Sequence, residues 1–358
     1  MTTNNSSIRR PAVAVACAAV AVLGLTACGG GDKDASDGGT SKLTFTGSGG
    51  VTQAAMGVAS LKPFAKQFDV SLTEDEPVDI AKLKVMVESK NVSWDVLHTS
   101  PFLVDQNCGT LFEPLDTDII DLSKIPADMV SECAVPVAMS ATVLLYDANK
   151  YKGDNVPKSW ADFFDTKKFP GTRGIAKAAQ YGQIEAALLA DGVAPDDLYP
   201  LDFDRALKKL DGIRDDLVYY ETGAQQQQQI ESGDVDMLIG WPGRVYAAVQ
   251  NGADFEPVWE AALYLPDVLA VAKDAKNKDT AMEYINFALT DGPQAAYADE
   301  LPYAAVNTDV APPSDAAIDK FAPTQQKIAE YHVLGLNSAW WSKNMSDMTK
   351  RWTAWVTR

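Results

Sequence analysis

Residues 1–28 decide what the rest of the chain has to be. Arg9 and Arg10 are the only charged side chains before Cys28, and Pro11–Leu25 is an apolar stretch rich in Ala and Val. A basic start, a short apolar run and small residues at its end are the anatomy of a secretory signal, which is removed from the mature chain. The run falls short of the ~20 residues that a membrane span needs. The folding unit therefore begins after residue 27, and it folds outside the cytoplasm.

Leu25-Thr26-Ala27-Cys28 is similar to the lipobox of bacterial lipoproteins. That similarity implies a lipid on Cys28, which becomes the new N-terminus and anchors the chain to the bacterial cell membrane. Residues 28–42 offer almost nothing to bury and read as a flexible tether. Cys17 leaves with the signal, so Cys108 and Cys133 remain. In an oxidising compartment such a pair is most simply a disulfide, contributing ~3 kcal/mol in the chain-entropy model. Metal ligation lacks partners, since His98 and His332 are the only histidines. No metal or cofactor is expected.

Without residues 1–27 the chain carries 29 basic and 49 acidic side chains, a net charge of −20. Such a surface repels nucleic acid and anionic lipid headgroups and tolerates cationic ligands. The 331 residues left exceed what one core usually serves, so two lobes are expected. The apolar content, 46%, excludes wholesale disorder.

The pattern alternates β and α. Lys42–Thr46 reads as a strand, Gly47-Ser48-Gly49-Gly50 as a turn, and the residues to Phe68 as a helix with 3.6-type spacing. Backbone N–H groups at that helix start could hold a ligand oxygen, though the turn lacks the third Gly of a dinucleotide fingerprint. Next come a helix over 79–89 and a buried strand over 94–98. Ser100 and Phe102 lie just past the carboxyl end of that strand, where ligands gather in open α/β sheets.

From Pro157 come a helix N-capped at Ser159, a strand from Gly174, helices over 183–190 and 201–210, and the strand Leu217–Tyr220. Tyr219-Tyr220 also resembles the tyrosine pair of iron-binding transport proteins, although strands ordinarily carry such aromatics for packing. Thr222–Gln225 opens a helix with five consecutive glutamines, whose first turn could face a cleft. A buried strand then breaks at Trp241-Pro-Gly-Arg244, and a helix covers 277–289. Trp341, Met345, Met348, Trp352 and Trp355 form a helical stripe of core residues.

The order of these segments resembles the extracellular solute-binding proteins of ABC importers, the spermidine/putrescine-binding group in particular. The likeness runs from about Lys42 to the C-terminus. It includes Trp94-Asp-Val, Leu111-Phe-Glu-Pro-Leu115, Pro157-x-x-Trp160 with Phe169-Pro-Gly171, Ile239-Gly-Trp-x-Gly243 and the segment Asn277–Phe287. It implies a two-lobe, type II periplasmic-binding-protein-like α/β fold, with two mixed sheets flanked by helices. Lobe 1 would take residues 43–145 and 261–358 and lobe 2 residues 146–260, with hinge crossovers near Tyr146 and Glu260. A monomer would capture a small polar solute, a polyamine first, and deliver it to a permease with its ATPase. By the same likeness Ser48, Ser100, Phe102, Gln225, Trp241, Asp267, Tyr303 and Trp341 would bind the ligand: Trp241 and Tyr303 by stacking, Asp267 by pairing with an amine.

The chain departs from that group at three places. Ala178–Gln183 stands where polyamine binders carry an acidic pair, Leu265 stands where an aromatic is expected, and Arg244 would repel a cation. An amino acid, a betaine or ferric iron therefore remain alternatives, as does a sensor role on the same fold. A secreted enzyme is disfavoured: the sequence holds no Gly-x-Ser-x-Gly, His-Glu-x-x-His, Ser-x-x-Lys or phosphate loop.

Overall fold

The computed structural model describes residues 40–358, so the signal, Cys28 and the tether as far as Gly39 lie outside the described residues. Nine strands are present among the described residues: β1 (Lys42–Thr46), β2 (Ser71–Asp75), β3 (Val96–Thr99), β4 (Val135–Asp147), β5 (Arg173–Ala176), β6 (Leu217–Tyr220), β7 (Met237–Gly240), β8 (Phe255–Val271) and β9 (Leu334–Gly335). They run in the order β2-β1-β3-β8-β4-β7-β5-β6, with β9 added on β8.

The sheet has two parallel ends joined by an antiparallel middle. β1 is parallel to β2 and β3, and β5 is parallel to β6 and β7. β4 and β8 lie antiparallel from Val135 opposite Leu269 to Asp147 opposite Phe255, with irregularities between Pro136 and Ala138 and between Thr142 and Leu144. The far end of β8 takes β3, and the far end of β4 takes β7. The two sheets expected from the sequence are thus one, because strands of 13 and 17 residues are long enough to belong to both ends.

Side-chain alternation divides each end into two buried faces. Around β3, Val96, Leu269 and Val271 pack with Phe64, Tyr284 and Ile285 of the covering helices. Leu97, Val268 and Ala270 point the other way, toward Leu83, Trp94 and Phe112. Around β7, Met237 and Ile239 join Phe163, Ile184 and Leu210, while Leu238 joins Val143, Val245 and Trp259. Strands buried on both faces need continuous apolar runs; β4, VPVAMSATVLLYD, is such a run.

Helix ends differ from expectation in small ways. The first helix, Gly50–Gln67, contains a π-helical stretch at Gly57–Leu61. Ser159 precedes the helix Trp160–Phe164 but does not cap it with its side chain; Asp162 Oδ2 instead accepts from Lys158 N at 2.9 Å and from Ser159 Oγ at 3.2 Å. The last helix, Ser338–Val356, packs on the helix Pro101–Gln106 of lobe 1 and also on residues of lobe 2. Trp341, Trp352 and Trp355 enter the cluster of Phe163, Ile184 and Leu210, together with Phe102. Their indole nitrogens are satisfied there: Trp352 donates to Lys177 O at 2.7 Å and Trp355 to Asp211 Oδ1 at 2.8 Å. Cys108 and Cys133 form a disulfide, their Cα atoms 5.6 Å apart.

Candidate functional site

The carboxyl ends of β1, β2 and β3 and those of β6 and β7 open on one cavity of about 590 Å³, floored by the middle of β4 and β8. Chain turns leave strand ends there because a parallel strand must hand over to a helix, and the first polar residues after each strand face the gap. Ser48 follows β1, Ser100 follows β3, Thr222 follows β6 and Trp241 follows β7; all four line the cavity.

Asp267 is the acid on the floor. It sits on β8 opposite Ala138 of β4, keeps 23% of its side-chain surface and lines the cavity. Among the described residues no group donates a hydrogen bond to its carboxylate. Burial pushes that carboxyl up to about 7. The nearest basic group is His98 on β3, whose Nε2 lies 3.9 Å from Asp267 Oδ2, beyond hydrogen-bond reach. Burial pushes the imidazole down to about 4, so it is neutral at pH 7 and leaves the acid uncompensated.

The base is Arg244, on the first turn of the helix Pro242–Gln250. It lines the same cavity, and among the described residues it makes no ion pair or side-chain hydrogen bond. Its stem lies over Gly223, where an added Cβ would come within 2.3 Å of Arg244 Nε. Glu221, another lining acid, is already paired with Lys177.

The walls are aromatic. Trp241 meets Tyr181 edge to face at 5.0 Å and Tyr220 at 5.3 Å. Its backbone is clamped by Gln226, whose amide donates to Trp241 O at 3.0 Å and accepts from Trp241 N at 3.1 Å. This is the one fully buried glutamine of the run. Tyr303 lines the cavity too, and a Cβ on Gly243 would lie 3.5 Å from its ring.

Of the residues singled out in the sequence, the cavity gathers Ser48, Ser100, Trp241, Asp267 and Tyr303. Three lie elsewhere. Phe102 is 2% exposed, turned into the core against the last helix by its place on the helix Pro101–Gln106. Trp341 is 1% exposed and donates to Glu185 Oε1 at 2.8 Å. Gln225 is exposed, and its Oε1 accepts from Glu221 N at 2.6 Å, closing the helix start on itself. His98 and Tyr181 were missed as site residues. His98 had a signal, since it directly precedes Thr99-Ser100 at a strand end; Tyr181 sits in the loop that replaces the acidic pair.

The profile of the bacterial extracellular solute-binding proteins matches residues 59–324. The gamma-aminobutyric acid-binding protein of Pseudomonas aeruginosa is 34% identical over 324 residues, covering 88% of this chain and 91% of that one. The putrescine-binding periplasmic protein PotF of Escherichia coli is 27% identical over 61% of this chain and 65% of its own. The solved structure of the Atu4243–GABA receptor superposes with a TM-score of 0.79 at 36% identity, covering 88% of this chain and 97% of that one. The fold, the cavity at the strand ends and these likenesses lead to one assignment: the chain belongs to the bacterial extracellular solute-binding proteins of ABC transporters.

Proposed function

We propose that the solute is a small zwitterionic ω-amino acid of the 4-aminobutanoate class. The carrying observation is that one uncompensated carboxylate, Asp267, and one uncompensated guanidinium, Arg244, face the same cavity. Asp267 takes the ammonium and Arg244 the carboxylate, the latter as a charge-assisted pair. Trp241, Tyr181 and Tyr303 cover the methylenes between them. What the P. aeruginosa relative and the Atu4243 receptor are named for supports this reading.

A polyamine, favoured by the sequence resemblance and by the PotF likeness, is the second reading. It ranks lower because its far ammonium would meet Arg244 rather than an acid. Betaines and ferric iron rank lower still. Among the described residues no group of three or more His, Cys, Asp or Glu could hold a metal ion.

Delivery follows capture. Lobes at 43–145 with 261–358 and at 146–260 close on the ligand about β4 and β8, the helix Ser338–Val356 packed against both. The monomer then passes the solute to a permease without chemical turnover. Cys28 carries the lipid that holds it at the cell membrane, outside the cytoplasm. No helix of the described residues is long and apolar enough to cross a membrane.

Titrating tryptophan fluorescence of the chain from Gly29 onward with 4-aminobutanoate, putrescine, spermidine and glycine betaine tests the assignment. A saturable change with 4-aminobutanoate is expected. A response to the polyamines alone would replace this reading with the second.

A further inference from the structure

His98 takes no part in the pairing of Asp267 and Arg244 with the solute, yet its surroundings are those of a ligand contact. It is 4% exposed, lines the cavity, and its Nε2 has no hydrogen-bond partner among the described residues. The ring is held by the strand pairing of His98 with Leu269 and by Phe45, stacked 6.4 Å away at 23° between planes. A buried polar atom without a partner is costly and calls for a reason, one of which is a partner that arrives with the ligand.

We infer that His98 is the second acceptor for the ligand's ammonium, so that the site selects nitrogen carrying at least two N–H groups. The inference rests on the reading of Asp267 as the amine partner. Asp267 Oδ2 and His98 Nε2 stand 3.9 Å apart, too far to bond one another. A nitrogen at normal bond length from both would see them roughly 85° apart, within the tolerance of two N–H donors of one ammonium. With the imidazole proton on Nδ1, Nε2 presents a lone pair. The neutral state that burial imposes on the ring keeps that lone pair available. One ligand group then satisfies two orphaned acceptors, and a quaternary ammonium satisfies neither.

The test is calorimetric titration of the chain from Gly29 onward with 4-aminobutanoate and its N-methyl, N,N-dimethyl and N,N,N-trimethyl derivatives. These carry three, two, one and no N–H. A single acceptor needs one N–H and two acceptors need two. The largest step in affinity is therefore expected between the monomethyl and dimethyl compounds, about tenfold, the size of one unmade buried hydrogen bond. In His98→Leu that step disappears, and 4-aminobutanoate binds about tenfold more weakly. In His98→Gln, whose side chain can still accept there, most of the step returns. An even decline across the series in the unmodified chain, or an undiminished step in His98→Leu, overturns the inference and leaves the function standing. No binding of 4-aminobutanoate to the unmodified chain overturns both. The series in the unmodified chain decides the matter even where a variant fails to fold.

Discussion

Asp267, the proposed partner of the ligand's ammonium, is placed against the interest of stability. An acid on a central strand is pushed up to about 7 because burial strips water from its charged form. A raised carboxyl means that the folded chain holds the proton more tightly than the unfolded one. The unliganded protein therefore loses stability at this residue as pH rises from 3.8 to about 7. Ligand binding has the opposite dependence, since a cation needs the ionised form. Affinity for 4-aminobutanoate is expected to fall about tenfold per pH unit as pH drops below 7. Asp267→Asn should cost binding about 3 kcal/mol while raising the melting temperature of the unliganded chain at pH 8. Calorimetry and thermal denaturation at pH 5, 7 and 8 read both. A variant that melts lower and binds unchanged would make Asp267 a structural residue.

At the level of elements, the site depends on how β7 hands over to the helix Pro242–Gln250. Gln226 fixes the backbone of Trp241 from the neighbouring helix, and Gly223 leaves the space that the Arg244 stem occupies. Gly223→Ala should displace the guanidinium with little loss of stability, lowering affinity for 4-aminobutanoate about tenfold and leaving butylamine unaffected. Equal losses for both ligands, measured by calorimetry, would mean the whole wall had moved.

Much of this level was legible in the sequence. Strand and helix periods located the elements, a position just past an apolar strand placed Ser100 in the cavity, and the resemblance of the Trp-x-Gly turn placed Trp241 there. The faces of helices were harder to read. Phe102 and Trp341 occupy positions from which either a cleft or a core can be reached, and packing between distant helices decides for the core. The glutamine run gave no sign that one member, Gln226, would be buried, because its partner is a backbone fifteen residues away.

For the molecule as a whole, the length and order of the segments implied an α/β solute-binding fold, and comparison places the chain in that family. The continuity of the sheet could not be read from segments, because it depends on the register of β4 against β8, which only long-range pairing sets. The last helix bridges what chain order divides: it packs on the helix Pro101–Gln106 of the first lobe, while its tryptophans donate hydrogen bonds to residues of the second. Neither cysteine of the disulfide lines the cavity. Replacing Cys108 and Cys133 together by Ala should lower stability by ~3 kcal/mol, seen as a lower urea midpoint, without altering affinity.

The most direct measurement is calorimetric titration of the unmodified chain and of Arg244→Gln with 4-aminobutanoate and with putrescine. Opposed charges lining one cavity imply that the unmodified chain prefers 4-aminobutanoate. Arg244→Gln should lose that ligand about a hundredfold, near 3 kcal/mol, and bind putrescine no worse than before. An unmodified chain that prefers putrescine, or an Arg244→Gln that binds 4-aminobutanoate unchanged, would contradict the zwitterion site.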